Sequence, residues 1–250
     1  MKRLQRIVLT LLLAISAPAF AFDTVDEQID HYLDVLKNGS FESKVQMLKR
    51  LQWSGLTDPR MYNPIKSRLE HAAMSSRSLN KSERSLLSHM IRALGYSGDE
   101  RNSYILISIK DFSADKKLRN HARKALVQLE KFKHWNQLIA DNDFDISGKS
   151  VEVTTYMKML STDDFMIQRL AARAIFHERQ KDMDLLALTA EKLEGLYLRQ
   201  GLDREAQDTV AWLCKAVGEY ASWQYDDLLS NVARNSPYKA VRKHAAKYAP

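Results

Sequence analysis

Residues that interrupt or crosslink a chain are scarce in this sequence, which contains 8 Gly, 5 Pro and 1 Cys in 250 residues. The lone Cys214 excludes an internal disulfide, so packing must supply the stability. Runs of β-branched residues, typical of strands, are absent apart from a brief one at 151–155. The sequence also lacks a His-Glu-x-x-His motif, a nucleophile elbow and a phosphate-binding glycine loop. We therefore predict no catalytic residue and no cofactor.

The first residues of the chain are typical of an export signal. Three basic residues precede an apolar stretch over 7–17, which is shorter than the about 20 residues that cross a bilayer. The small-x-small sequence that ends at Ala21 resembles a signal-peptidase site. We predict that residues 1–21 are a signal peptide and that the mature chain begins at Phe22, an uncleaved anchor being the alternative. This predicts a periplasmic or secreted bacterial protein without a transmembrane segment after signal removal.

The formal net charge is modest once the signal is removed. It is +7 for the whole sequence, and the loss of three signal cations lowers it to +4. Basic residues are spread along the chain and interleaved with acids, unlike the clustered basic surface of a nucleic-acid-binding protein. We therefore predict no nucleic-acid partner.

Apolar residues recur at helical spacing nearly everywhere, which indicates amphipathic helices with one buried face. Gly95 and Gly218 are expected to end two of these helices, because glycine tolerates the left-handed conformation at a helix C-terminus. The predicted helices cover 24–37, 41–54, 60–76, 81–96, 100–112, 115–131, a short segment at 132–140, and then 152–161, 163–178, 181–199, 203–220, 222–234 and 237–248.

The sequence resembles itself at a fixed separation. The segment 92–126 recurs as 215–249, so that Gly95 aligns with Gly218 and His121 with His244 (218 − 95 = 123 and 244 − 121 = 123). A self-match at one period over so long a stretch indicates a repeat architecture. We predict a tandem duplication.

The polar segment between the two repeats sets the predicted domain organisation. It is short and lacks a helical period, so we expect one continuous stack. The predicted units are a first half at 22–140, an acidic seam at 141–150 and a second half at 151–250.

Three short segments resemble HEAT repeats. Residues 170–175 and 118–126 are similar to the second helix of a HEAT unit, and Asp58-Pro59-Arg60 is similar to the turn that opens a first helix. The resemblance implies an all-α fold, an α-solenoid of stacked antiparallel helical hairpins in two tandem duplicated halves. It also implies a curved surface that binds macromolecules.

Four residues are the predicted binding residues. Trp212 aligns with His89, off the main apolar stripe, and exposed Trp is a frequent interface anchor. Arg92 and Lys215 share a position about one turn further on and would add charge to the same surface. The alternative is that Trp212 covers the core between neighbouring hairpins.

A second group forms a predicted basic ridge. Arg119 and Arg123 in the first half are matched by the basic pair Arg242 and Lys243 in the second half. Such a ridge could meet an acidic partner, anionic lipid or the wall polymer. The alternative, which we favour, is a solvated helix face with cations towards its C-terminal end.

The acidic seam resembles a calcium-binding loop only in part. Asp141, Asp143, Asp145 and Glu152 occupy positions that supply oxygens in an EF-hand. Ile146 stands where that loop needs glycine for its sharp turn. We therefore expect a solvated linker and no metal site, with these four acids as a weak calcium candidate.

Two histidines and the cysteine invite a catalytic interpretation that their helical phase disfavours. His121 and His244 each share a helix face with apolar neighbours, so we expect them to lie at packing seams and to hydrogen-bond a nearby group. Cys214 aligns with Ile91 and is predicted to be a small buried hydrophobic residue.

The sequence thus favours a non-catalytic binding or scaffolding protein of the bacterial periplasm. It would recognise an envelope protein or peptide through the solenoid surface, and we predict that it is not an enzyme. The alternative is a cell-wall enzyme similar to lytic transglycosylases, which would need a groove Glu with a raised pKa.

Overall fold

The computed structural model describes residues 21–72, 79–140 and 148–250. Over these ranges the chain forms α-helices without strands, which confirms the all-α prediction. No helix in the described ranges has both the length and the apolar character that a membrane crossing requires. The helices are α1 (Val25–Asn38), α2 (Phe41–Arg50), α3 (Pro59–Ala72), α4 (Lys81–Tyr96), α5 (Ser103–Phe112), α6 (Lys116–Ala140), α7 (Val151–Ser161), α8 (Phe165–Glu178), α9 (Met183–Leu196), α10 (Arg204–Ala221), α11 (Asp226–Asn235) and α12 (Lys239–Ala245).

Polar side chains at the helix starts explain why the helices begin where they do. Ser40 and Asp203 accept hydrogen bonds from backbone N–H groups in the first turns of α2 and α10. Asn80 and Glu83 form a reciprocal capping box at the start of α4. These contacts satisfy backbone donors that have no partner inside the helix.

The helices pack as antiparallel neighbours in two layers. The pairs α1/α2, α3/α4, α7/α8, α9/α10 and α11/α12 are hairpins, as is α5/α6. In the even-numbered layer α4 lies between α2 and α6, and α10 lies between α8 and α12. This stacking of hairpins is the predicted α-solenoid.

Helix α6 is longer than predicted and connects two hydrophobic cores. The short separate helix expected at 132–140 is wrong, because Lys116–Ala140 form one helix of 25 residues. Its first part packs in the core of the first half, whereas Phe132, Trp135 and Ile139 pack in the core of the second half. The apolar stripe therefore continues past residue 131 because it has a second core to cover.

The two halves also touch through residues outside this helix. Arg50 at the end of α2 forms an ion pair with Glu178 at the end of α8, with 2.5 Å between the charged atoms. The rings of Trp53 and His177 stack beside it, with centroids 6.1 Å apart and an interplanar angle of 9°. The first hairpin therefore packs directly against the first hairpin of the second half.

The order of helices is the same in the two halves. Helices α10 and α12 begin at Arg204 and Lys239, 123 residues after the starts of α4 and α6, and α8 begins at Phe165, 124 residues after the start of α2. This order agrees with a duplication. The duplication itself and the domain boundaries remain predictions.

The two aligned glycines do not end helices, which corrects the expectation from sequence. Gly95 lies inside α4 and Gly218 inside α10, and neither has a left-handed backbone. A Cβ on Gly95 would lie 2.8 Å from the carbonyl oxygen of Ala125, and one on Gly218 would lie 2.3 Å from the ring of Tyr248. Gly95 is therefore needed where α6 approaches α4 too closely for a side chain, and Gly218 leaves room for the ring of Tyr248 in the turn after α12.

We expect Gly95→Ala to destabilise the protein by about 1–3 kcal/mol, because the added methyl group meets backbone atoms that cannot move aside. Thermal unfolding would measure this as a midpoint lower by about 2–4 °C for each kcal/mol. The control is Gly195→Ala in α9, where a Cβ meets nothing within 4 Å. Alanine should stabilise that exposed helical position by about 0.5–1 kcal/mol. Equal effects at both positions would contradict the close-packing role of Gly95.

Candidate binding site

A cavity of about 300 Å³ lies where the first half meets α8 of the second half. Helices α4, α6 and α8 form its walls, and Gln52 from the turn after α2 lies at its edge. Three aromatic side chains, Tyr96, Phe132 and Trp135, also line it. The charged side chains in the lining are all basic: Arg92, Lys124, Lys131, Arg169 and Arg173.

Helical spacing places the polar side chains of each cavity wall on one face of its helix. On α4, Arg92 and Tyr96 are four residues apart, and Arg169 and Arg173 have the same spacing on α8. Side chains four residues apart lie on one face of a helix, so each wall contributes its polar groups in a row. The repetition of this spacing on facing helices produces a cavity with a concentrated positive charge.

Two guanidinium groups in the cavity have buried nitrogens without a partner. The Nε atoms of Arg169 and Arg173 are inaccessible to solvent, and each lacks a hydrogen-bond acceptor in the described part of the chain. Arg169 is held in place by Asp208, whose carboxylate lies 2.9 Å from its Nη1. Burial, and then the adjacent Arg169, lower the pKa of Arg173. A buried donor without an acceptor is costly, so these two arginines weaken the packing around the cavity.

The histidines near the cavity have lowered pKa values, to which the excess of positive charge contributes. Burial and then the neighbouring Arg92 and Lys49 lower the pKa of His89 to about 4. Burial is again the larger cause for His121 and His177, whose pKa values nearby cations also lower. The histidines therefore remain neutral at neutral pH, and the arginines and lysines carry the charge.

Trp212 holds two cations beside the cavity. The Nζ of Lys215 lies 3.8 Å from the centroid of the Trp212 ring, and the guanidinium of Arg173 lies 5.4 Å from it. The half-buried indole also makes edge contacts with Phe176, at 5.8 Å between centroids. Cation–π attraction of this kind orients the charged groups. Trp212 thus acts as a support for Arg173 and Lys215 in the structure.

The four predicted binding residues lie on the even-numbered helices. Arg92 lines the cavity and donates from Nε to Nδ1 of His121 at 3.3 Å. His89 lies one turn before Arg92 on α4, whereas Trp212 and Lys215 lie on α10 against Arg173. Arg173 of α8 lies between these two groups, because it lines the cavity with Arg92 and also contacts the ring of Trp212.

Arg169 and Arg173 of α8 were not identified from the sequence as residues of the candidate site. Lys247 aligns with Lys124 at the separation of 123 residues found for the other pairs, and Arg173 lies 124 residues after Lys49. Both halves therefore place cations at equivalent positions, and this regularity was a usable signal. The sequence alone did not show that Arg169 and Arg173 face the first half.

Two members of the predicted basic ridge have structural contacts. Arg119 Nη1 donates to the carbonyl oxygen of Ser113, and Arg242 Nη1 donates to that of Ser236, both at 2.6 Å. These carbonyls end α5 and α11, so the two arginines satisfy equivalent helix ends.

The other two ridge residues, Arg123 and Lys243, are exposed. The Nη1 of Arg123 donates to Oδ1 of Asn120 within its own helix. A binding role for the four ridge residues remains a prediction.

The four calcium candidates divide into two groups. Asp141, Asp143 and Asp145 lie outside the described residues. Glu152 lies in α7, is 7% exposed, and accepts a 2.8 Å hydrogen bond from Gln28. Among the described residues no cluster of acids, histidines or cysteines has the arrangement of a metal site.

The remaining reactive side chains are engaged in packing. Cys214 is completely buried, and burial raises the pKa of its thiol to about 12, so it is not activated as a nucleophile. His121 is half-buried and bonded to Arg92, as expected for a packing seam, but it also lines the cavity. For His244, burial and then Lys215 lower the pKa.

Glu178 is the residue to compare with the alternative prediction of a cell-wall enzyme, which needs a Glu with a raised pKa. Burial raises the pKa of its carboxyl, in the direction that a general acid needs. However, the carboxylate forms the ion pair with Arg50 that joins the two halves. This contact gives Glu178 a structural function.

No family model matches this chain, and no curated protein does. Solved structures are similar to this chain, and two of them match over 88% of its length. One is human deoxyhypusine hydroxylase in complex with glycerol, at 12% identity, 82% coverage of that chain and a TM-score of 0.35. The other is an engineered protein, at 15% identity, 94% coverage and a TM-score of 0.30.

The prediction that the protein is not an enzyme is corrected by these comparisons. One of the two similar structures is an enzyme, so the helical architecture gives no ground for excluding catalysis. At TM-scores this low the similarity assigns no activity, substrate or ligand to this chain.

The lowered histidine pKa values predict that the protein loses stability in mild acid. The pKa of His89 is about 4 in the folded chain and about 6.5 when unfolded, so below pH 6.5 the unfolded state binds more protons. The contribution of neutral His89 to the free energy of unfolding is therefore fully present above about pH 6.5, and it decreases as the pH falls towards 4. Urea unfolding at pH 7.5 and at pH 5.0 would measure the loss.

Matched variants test whether His89 contributes to this loss. We expect His89→Gln to reduce the difference between the two pH values, because it removes a group that protonates on unfolding. The exposed His134 on α6 provides the control, and His134→Gln should retain the full difference. An unchanged pH dependence in His89→Gln would show that His89 is not buried among cations.

Proposed function

We propose that this protein is exported to the periplasm and binds an acidic segment of a partner protein or peptide in the cavity between its halves. The single observation that carries the proposal is the pair of buried, unpartnered Nε atoms of Arg169 and Arg173. They lie in a cavity whose charged lining is basic. Carboxylates on a partner would compensate the charge of these two guanidinium groups, whose buried nitrogens have no acceptor within the described part of the protein.

A peptide fits the surroundings of the cavity better than a single small anion does. The cavity walls include the aromatic rings of Tyr96, Phe132 and Trp135, which suit apolar side chains between acidic ones. The basic surface also continues from Arg173 to Lys215 on α10, beyond the cavity itself. An extended segment with alternating acidic and apolar residues would contact both parts.

The stack is suited to such binding because its charged groups are held before the partner arrives. Asp208 holds Arg169, and the Trp212 ring holds Arg173 and Lys215. Side chains that are already ordered lose little entropy on binding. The concentrated positive charge would attract an acidic partner over a distance, with an effect that decreases as salt increases.

Arg173→Gln should weaken binding of an acidic peptide by about tenfold or more, because a charge-assisted hydrogen bond contributes about 1.5–3 kcal/mol. The probe is a fluorescein-labelled peptide of alternating Glu and Phe, and fluorescence anisotropy measures its dissociation constant. Binding should weaken further as salt rises from 50 to about 300 mM. A peptide of alternating Lys and Phe should not bind.

The control variant is Arg234→Gln, which removes the same charge from the exposed side of α11, away from the cavity. It should bind the acidic peptide as the unaltered protein does. An equal loss of affinity in both variants would show that the effect comes from net charge alone and not from the position of Arg173. Binding of the Lys–Phe peptide, or tight binding by Arg173→Gln, would contradict the proposal.

A further inference from the structure

A cluster of buried charged and polar groups lies where α1 and α2 meet α7 and α8. It contains two carboxylates, those of Glu152 and Glu178. Burial, and to a smaller extent these two carboxylates, raise the pKa of the Tyr32 phenol. Arg50 forms its ion pair with Glu178. Within the described ranges Glu152 has no ion pair of its own, although it is 7% exposed. A buried carboxylate without a neighbouring cation is costly, so this cluster lacks a second positive charge.

The residue that faces Glu152 is Phe22. Its backbone nitrogen lies 3.3 Å from Oε2 of Glu152, and its carbonyl oxygen accepts a 2.8 Å hydrogen bond from the backbone nitrogen of Val151. Its ring packs edge-on against Tyr32, with centroids 6.0 Å apart. Phe22 is therefore built into the junction between α1 and α7.

We propose that the chain is cut between Ala21 and Phe22 and that the new α-ammonium of Phe22 forms a buried ion pair with Glu152. Cutting is hydrolysis of one peptide bond by an envelope signal peptidase. Water adds across the bond, the carbonyl of Ala21 becomes the carboxylate of the released segment, and the nitrogen of Phe22 becomes an ammonium. Maturation thus supplies the second cation to a cluster with two carboxylates.

The other hydrogen-bonding groups at the site favour an ammonium over a peptide N–H. Gln28 donates from Nε2 to Oε1 of Glu152 at 2.8 Å, and its own Oε1 is buried without a partner. A peptide nitrogen offers one donor and no charge, whereas an α-ammonium offers three donors and one positive charge. The cut chain therefore brings both additional donors and charge compensation to Glu152 and its surroundings.

This inference depends on export of the chain but not on what the cavity binds. The first test is to secrete the full sequence with its own N-terminus and to determine the mature end by mass spectrometry. Phe22 is the expected first residue. Any other mature end would overturn the proposal, whatever the peptide-binding assay shows.

The second test compares chains that begin at Phe22 and at Ala21, released from a fusion by a protease that leaves no extra residue. The added Ala21 replaces the ammonium of Phe22 by a peptide N–H, so the midpoint of thermal unfolding should fall by about 3–6 °C. In a Glu152→Gln background the same addition should cause at most a small fall. An equal fall in both backgrounds, or none in the unaltered chain, would overturn the ion pair.

A third measurement does not depend on whether Glu152→Gln folds. The α-amine of the chain that begins at Phe22 should react with an amine-specific acylating reagent at least about tenfold more slowly than that of a free peptide with the same first residues. Mass spectrometry of the N-terminal fragment follows the reaction. An equal rate would show that the amine is neither buried nor paired.

Discussion

The ion pair between Arg50 and Glu178 joins the two halves of the stack, in addition to helix α6, which packs in both cores. These residues lie at the ends of α2 and α8, and the stacked rings of Trp53 and His177 lie beside them. A buried pair is costly to break because the remaining charge is left without compensation. By keeping α8 against the first half, this contact brings Arg169 and Arg173 opposite Arg92.

The charge distribution around the cavity is costly for stability, and the proposed binding function rests on it. Arg169 and Arg173 keep buried donors unsatisfied, and the pKa values of the surrounding histidines are lowered. By contrast, Arg119 and Arg242 donate to the carbonyl groups that end α5 and α11. Local departures of this kind concentrate at functional sites.

Much of the fold could be predicted from the sequence because its signals are local. Ser40 and Asn80 mark helix starts, and the apolar spacing places the buried faces correctly. The errors arose where a distant part of the chain decided the outcome. Gly95 was interpreted as a helix end, but its lack of a side chain serves the close approach of Ala125. Helix α6 continues past residue 131 because Trp135 packs in the core of the other half.

The sequence by itself determined the helical class, the helix order and the positions of cations that recur in both halves. These follow from periodicity and from residue types, which act over a few residues. The tertiary structure alone decided which cations face each other and which bond to other groups. Arg92 lines the cavity with other cations, whereas Arg119 donates to the carbonyl oxygen of Ser113. It also placed Phe22 beside Glu152. The reason is that the sequence determines each helix face, whereas the packing of hairpins determines which faces meet.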